Sequence, residues 1–190
     1  MKNFYEELII AGFGGQGIIL AGKLLAQTAM KCGKEVTFMP SYGAEVRGGT
    51  ANCMVVIASE PIASPMVNNP HSAIVMNKAS LEKFAGRVKK GGILIINRSL
   101  IDIEPQVEDG VEVIKLPADE LAGKIGSGKS ANMVALGAYL EARGLFGIWA
   151  MAKCMEDVLA ARLHKTIAIN TKALEAGAEF VKECRGALKR

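Results

Sequence analysis

The chain has 190 residues, half of them apolar, and its 23 Lys and Arg against 19 Asp and Glu give a formal net charge of +4. That length suits one well-covered core and is short for two, so a single domain over residues 1–190 is expected. The charge excess comes without any block of like charge, which excludes a nucleic-acid-binding tract, and no window reaches the roughly 18 uncharged apolar residues of a membrane-spanning helix.

Residues 1–7 are short and polar, with no apolar run ending in a small-residue cleavage site, so no leader is expected and the cytoplasm is the expected location. Residues 8–11 then form an apolar strand that runs into Gly12-Phe13-Gly14-Gly15-Gln16-Gly17 and the first turn of a helix. Gly12, Gly14 and Gly17 satisfy the G-x-G-x-x-G spacing in the strand-before, helix-after context that gives the pattern meaning. The expected roles are a tight turn at Gly12, close ligand approach at Gly14 and close helix–strand packing at Gly17, with unpaired helix N–H groups facing outward. With Gly15 and Gln16 these residues are the candidate cofactor-binding set, an anion cradle. The alternative is that the glycines serve only packing or receive a partner's backbone.

Ile18, Ala21, Leu25 and Ala29 recur at helical spacing, which predicts an amphipathic helix ending near Cys32-Gly33. Residues 36–39 read as a second strand and complete a βαβ unit. Residues 40–50 are too rich in glycine for a helix and too long for a tight turn, and a loop of that kind inside a compact domain is usually functional. Residues 53–58 are a third strand, buried on both faces. No helix links it to the second, which leaves an antiparallel pairing open. Residues 60–70 hold three prolines and are expected to be irregular. A fourth strand at 72–76, a helix through Leu81, Phe84 and Val88, a fifth strand at 93–96 and a sixth, nearer an edge, at 111–116 follow. From Pro117 the pattern turns helical, with helices from 117, over 132–143, 149–163 and 166–183. The expected fold is α/β: a doubly wound, mostly parallel Rossmann-like sheet, mixed if the third strand is reversed, with a helical C-terminal part.

Three kinds of chemistry can be tested on these elements. A nicotinamide site wants an acid at the end of the second strand, but Glu35 stands at its beginning, so ordinary NAD binding is not expected. Residues 123–130 match G-x-x-x-x-G-K-[ST], yet a helical turn separates them from the preceding strand, and the apolar strands run into Asn77 and Asn97 where a magnesium-binding Asp is needed. Cys32, Cys53, Cys154 and Cys184 lie far apart and the only histidines are His71 and His164, so no dedicated metal site is expected. The densest polar functionality is in the 40–50 loop, where Arg47 presents a planar fork for a carboxylate or phosphate and Glu45 can hold it, or simply pair with it at the surface. Asn132, ahead of an apolar run, reads as a helix N-cap.

Gly12-Phe13-Gly14-Gly15-Gln16-Gly17, Ser41-Tyr42-Gly43-Ala44-Glu45-Val46-Arg47-Gly48-Gly49-Thr50 and Asn132-Met133-Val134-Ala135-Leu136-Gly137 together resemble the gamma subunit of the 2-oxoacid:ferredoxin oxidoreductases, a domain also fused within single-chain pyruvate:ferredoxin oxidoreductases. The resemblance runs in order over nearly the whole chain, weakest over 102–129 and in the last helix. It implies membership of an enzyme that uses thiamine diphosphate and iron–sulfur clusters to decarboxylate a 2-oxoacid such as pyruvate, 2-oxoglutarate or 2-oxoisovalerate. That enzyme passes electrons to ferredoxin and forms an acyl-coenzyme A. The resemblance also implies that other subunits hold the thiamine diphosphate and clusters. This chain is then expected to carry no catalytic residue and no metal, to be inactive alone, and to bury its apolar surplus in a heteromer. Tyr42, Glu45, Arg47, Gly48, Gly49, Thr50 and Asn132 become the candidate interface or coenzyme A-path residues, with the interface role preferred for the Arg47 loop. Outside that family the alternatives are a free-standing nucleotide- or phosphate-binding module and a P-loop ATPase.

Overall fold

The computed structural model describes residues 4–41 and 50–187, and of Thr50 the backbone alone. Tyr42, Glu45, Arg47, Gly48 and Gly49 therefore lie outside the described residues.

The strands are β1 (Tyr5–Phe13), β2 (Glu35–Ser41), β3 (Thr50–Ala58), β4 (Ser72–Val75), β5 (Ile93–Asn97) and β6 (Glu112–Leu116). They form one sheet in the order β2-β3-β1-β4-β5-β6. Pairing is parallel from β1 through β4 and β5 to β6, whereas β3 runs antiparallel to both β2 and β1. The sheet is thus mixed, for the reason visible in the sequence: without a crossover helix, β3 can only fold back on its predecessor. The expected βαβ unit is present in direction, but β3 is wedged between its two strands.

The helices are α1 (Ile18–Lys31), α2 (Lys78–Phe84), α3 (Ala118–Lys124), α4 (Ala131–Arg143), α5 (Ile148–Val158) and α6 (Ile167–Ala187), with 3-10 segments at Ala85–Arg87 and Ala161–Thr166. They divide unequally over the sheet. Leu8, Ile10, Ile74 and Ile95 face a large core with Leu25 of α1, Leu136 of α4, Met155 of α5 and Leu174 of α6. Ile9, Val75 and Leu94 face a smaller one, closed by Leu81 and Phe84 of α2 and by Val67 from the irregular segment after β3. Alternate residues of one strand serve different layers, which is why β1 reads as an unbroken apolar run.

The helix expected over residues 149–163 is not continuous. α5 stops at Val158, and Leu159 is extended. No glycine or proline breaks it; residues 160–165 are all exposed, so no apolar stripe remains to hold a further turn against the core. Gly123 and Lys124, the opening residues of the P-loop-like spacing, are the last residues of α3 and do not follow a strand directly. That geometry cannot wrap a phosphate.

The closest helix contact joins α4 to α6. A Cβ on Gly137 would overlap the carbonyl of Leu174, and one on Gly177 the carbonyl of Val134, so the two backbones touch where both side chains are missing. At its C-terminal end α4 is fixed by a buried charge. Glu6 of β1 is fully buried. It accepts hydrogen bonds from Ser72 Oγ (2.6 Å) and Tyr139 OH (3.3 Å) and pairs with Arg143. Burial first, and then the Glu6 carboxylate, hold the Tyr139 phenol well above the usual tyrosine range, so the ring oxygen keeps its proton and donates.

Cys53 sits under α1, its thiol donating weakly to the Ile18 carbonyl at 3.7 Å, and burial pushes its pKa up to about 12. Cys154 is also buried, while Cys32 and Cys184 are exposed. Titration of the native chain with a thiol reagent is expected to modify Cys32 and Cys184 quickly and Cys53 and Cys154 only on unfolding. Mass-spectrometric mapping of the labelled peptides checks it, and fast labelling of Cys53 would contradict the placement of β3 beneath α1.

Candidate functional site

The C-terminal end of β1 opens into the turn that starts α1. From there α1 carries the chain to β2 on one side of β1, while α2, following the neighbouring β4, carries it to β5 on the other. The crevice outside the carboxyl ends of β1 and β4 is therefore the point where the winding reverses, the place in an open α/β sheet where ligands sit.

Gln16 spans that crevice. Its Oε1 accepts from the Phe13 N–H at 2.6 Å and its Nε2 donates to the Met76 carbonyl, just past β4, at 3.3 Å. The glycines divide their work differently from the expectation. Gly12 is the packing glycine: it lies in β1, where a Cβ would stand 2.8 Å from Ile18 Cδ1 and 3.0 Å from Met76 Cβ. The turn itself is made by Gly15 (φ 94°) and Gly17 (φ 72°), both left-handed and so costly for any residue with a side chain. Gly14 and Gly15 are exposed, and nothing lies within 4 Å of a Cβ built on Gly15.

Asn132 closes the other flank. It is not the N-cap of α4, a position held by Ser130, but the second residue of the helix. Its Nδ2 donates to the Gly17 carbonyl at 3.1 Å while its Oδ1 accepts the N–H of Met133 at 3.0 Å. A Cβ on Gly17 would collide with the Asn132 side chain. Ser130 is tied instead to Ser127 and Asn170, at 2.7 and 2.9 Å. Asn77 and Asn97, where the apolar strands end, are structural: Asn77 caps α2 through the Ser80 N–H (2.7 Å) and Asn97 donates to Asp119 (2.6 Å).

Among the described residues no side chain caps the α1 N-terminus, whose N-cap is Gly17, and its first turn carries no acidic residue. Its leading N–H groups thus present a partial positive charge at the crevice. In the β1–β3 ladder Phe13 pairs with Thr50, and in the β2–β3 ladder Ser41 pairs with Asn52, so the two strand ends that bracket residues 42–49 lie at the same edge of the sheet as the glycine turn. Among the described residues no three His, Cys, Asp or Glu side chains come together to hold a metal ion, and no helix is long and apolar enough to cross a membrane.

A mixed, doubly wound α/β chain with a glycine turn on one rim of its sheet, flanked by Gln16 and Asn132, is the class that this geometry defines, and it is shared with known proteins. Residues 7–180 match the pyruvate ferredoxin/flavodoxin oxidoreductase family, and the chain belongs to it. The ketoisovalerate oxidoreductase subunit VorA of Methanothermobacter marburgensis is 38% identical over 177 residues, covering 92% of this chain and 36% of VorA. The 2-oxoglutarate synthase subunit KorC of Methanothermobacter thermautotrophicus is 34% identical over 190 residues, covering 96% of this chain and 98% of KorC. The chain therefore spans about a third of VorA and nearly all of KorC. The gamma subunit of a keto/oxoacid ferredoxin oxidoreductase from Geobacter sulfurreducens superposes with a TM-score of 0.79 at 26% identity, over 94% of this chain and 99% of that one. The 2-oxoglutarate:ferredoxin oxidoreductase of Magnetococcus marinus, solved with 2-oxoglutarate, coenzyme A and succinyl-CoA bound, gives 0.84 at 26% identity, over 94% of this chain and 31% of that one.

Proposed function

We propose that this chain, acting as one domain, is the gamma-type subunit of a cytoplasmic 2-oxoacid:ferredoxin oxidoreductase, an assembly that decarboxylates a 2-oxoacid oxidatively, reduces ferredoxin and releases an acyl-coenzyme A. The observation that carries this reading is the end-to-end match to KorC, a subunit of a 2-oxoglutarate synthase, which this chain parallels over 98% of its length.

The cofactors of such an assembly fit this chain unequally. Thiamine diphosphate would supply the carbon nucleophile for decarboxylation and iron–sulfur clusters would carry the electrons away. Two of the four cysteines are sealed in the core and two are exposed, and no three ligating side chains converge among the described residues, which does not suit a cluster. Both groups are read as carried by companion chains. Coenzyme A is a different case, because uncapped backbone N–H groups at the start of α1 suit a phosphate. Gly12, Gly14, Gly15, Gln16 and Gly17 are accordingly read as the part of this chain that borders the coenzyme A path. Tyr42, Glu45, Arg47, Gly48, Gly49 and Thr50 are read as the adjoining contact with a neighbouring subunit, where a bidentate Arg47 and paired glycines let two chains approach closely.

Purification of the tagged chain from its native extract is the test. It is expected to bring down thiamine- and cluster-bearing chains in fixed ratio, with 2-oxoacid-dependent ferredoxin reduction in the eluate and none from this chain alone. Arg47→Ala is expected to loosen that complex. Elution as a lone chain stabilised by a nucleotide would overturn the reading.

A further inference from the structure

We infer that Asn132 is a positioning residue for the glycine turn: it touches no ligand itself but fixes the α1 N-terminus from behind. This rests on the reading above, in which the turn borders the coenzyme A path.

The turn is gripped on two flanks by side-chain amides. On one, Gln16 bridges Phe13 to Met76, which references the turn to the strands. On the other, the tie among the described residues is Asn132, through its Nδ2 bond to the Gly17 carbonyl, and Gly17 leaves room for that amide by lacking a Cβ. Both ends of the Asn132 amide are used, since Oδ1 takes the Met133 N–H, and this fixes the orientation of the group. Only 8% of the residue is exposed, which suits a role behind the turn.

Asn132 can act as a reference because α4 is itself anchored at three points. Its N-terminus is tied through Ser130 to Asn170 of α6, its middle is pressed against α6 at Gly137, and its end is held through Arg143 to Glu6. The Gly17 carbonyl is also the first acceptor of α1, taking the Ala21 N–H at 2.9 Å. A displacement of that carbonyl therefore swings the opening N–H groups of α1, which are the groups that would face a phosphate.

The experiment uses the whole purified complex with three variants of this chain. Asn132→Leu keeps the branched shape but loses the bond; Asn132→Ala loses the bond without any risk of overpacking. Gly14→Asp tests the underlying reading, since it sets a carboxylate on the exposed side of the turn at a glycine without positive φ. Loss of one directing hydrogen bond is expected to raise KM for coenzyme A about ten-fold in both Asn132 variants, with kcat and the 2-oxoacid KM unchanged and the complex eluting as before. Gly14→Asp is expected to raise the same KM. If Gly14→Asp raises it and neither Asn132 variant does, the positioning role is wrong while the reading of the turn stands. If Gly14→Asp leaves coenzyme A KM unaltered, the reading of the turn falls and takes this inference with it. If both Asn132 variants lower kcat or break the complex without a selective coenzyme A effect, Asn132 is a structural strut only.

Discussion

Gly177→Val is expected to cost about 3 kcal/mol, because the new side chain has nowhere to go and forces two packed helices apart. For a chain of this size that corresponds to a fall of about 10 °C in the unfolding midpoint. The cause is local and specific. A Cβ at 177 would run into the Val134 carbonyl and stand 2.9 Å from the Ala138 backbone nitrogen, atoms of a helix that cannot yield. α4 is buried along nearly its whole length, between the sheet and α6, so any shift of it disturbs Met133, Leu136 and Leu140 in the main core as well. Gly123→Ala is the matched control: that glycine is also helical, yet nothing lies within 4 Å of its would-be Cβ. There the change is expected to stabilise by about 0.5 kcal/mol, as an alanine does in an open helix. Circular dichroism on heating reads both; equal midpoints for the two variants would refute the close crossing of α4 and α6.

Arg143→Met is the second large effect, with an expected loss of about 3 kcal/mol, since it strands the Glu6 carboxylate in the interior with only the hydroxyls of Ser72 and Tyr139 for company. The pair as such contributes little net stability, because both charges give up water to meet. The penalty comes from breaking it on one side. Adding Glu6→Gln to Arg143→Met should therefore return much of the lost stability, although arginine is still missing. Chemical denaturation of the single and double variants measures the coupling, and a double variant no more stable than Arg143→Met would mean that the buried charge is not the source of the loss.

Much of this architecture was legible in the chain. The apolar runs of β1, β3 and β5 and the helical spacing of α1 follow from burial on two faces or one, and both survive in the structure to within a few residues at their ends. The glycine turn was legible as a turn, but its internal division of labour was not. Spacing cannot tell that Gly12 serves packing while Gly15 and Gly17 carry the left-handed backbone, since that depends on how Gln16, Ile18 and the distant Met76 come together over Gly12. Asn132 shows the same limit. Ahead of an apolar run it looks like a cap, and only the arrival of Gly17 from another element reveals what its amide is for. The close approach at Gly137 and Gly177 was not legible, since a glycine required by a neighbouring backbone and a tolerated one have the same local signature. Residues 160–163 misled in the opposite direction, as helix formers with no surface to pack on.

The ladder that sets Phe13 opposite Thr50 has a consequence for how such a chain can change. Adding one residue within β3 would slide the end of the second glycine segment, where it enters β3 at Thr50, by about 3.4 Å along the strand and turn that residue to the reverse face of the sheet. Lengthening the 42–49 connection does neither. Accommodation to a differently shaped neighbour is thus cheap inside that connection and forbidden in the strands that bracket it, so the rim keeps a fixed footing while the contour it offers is free to vary.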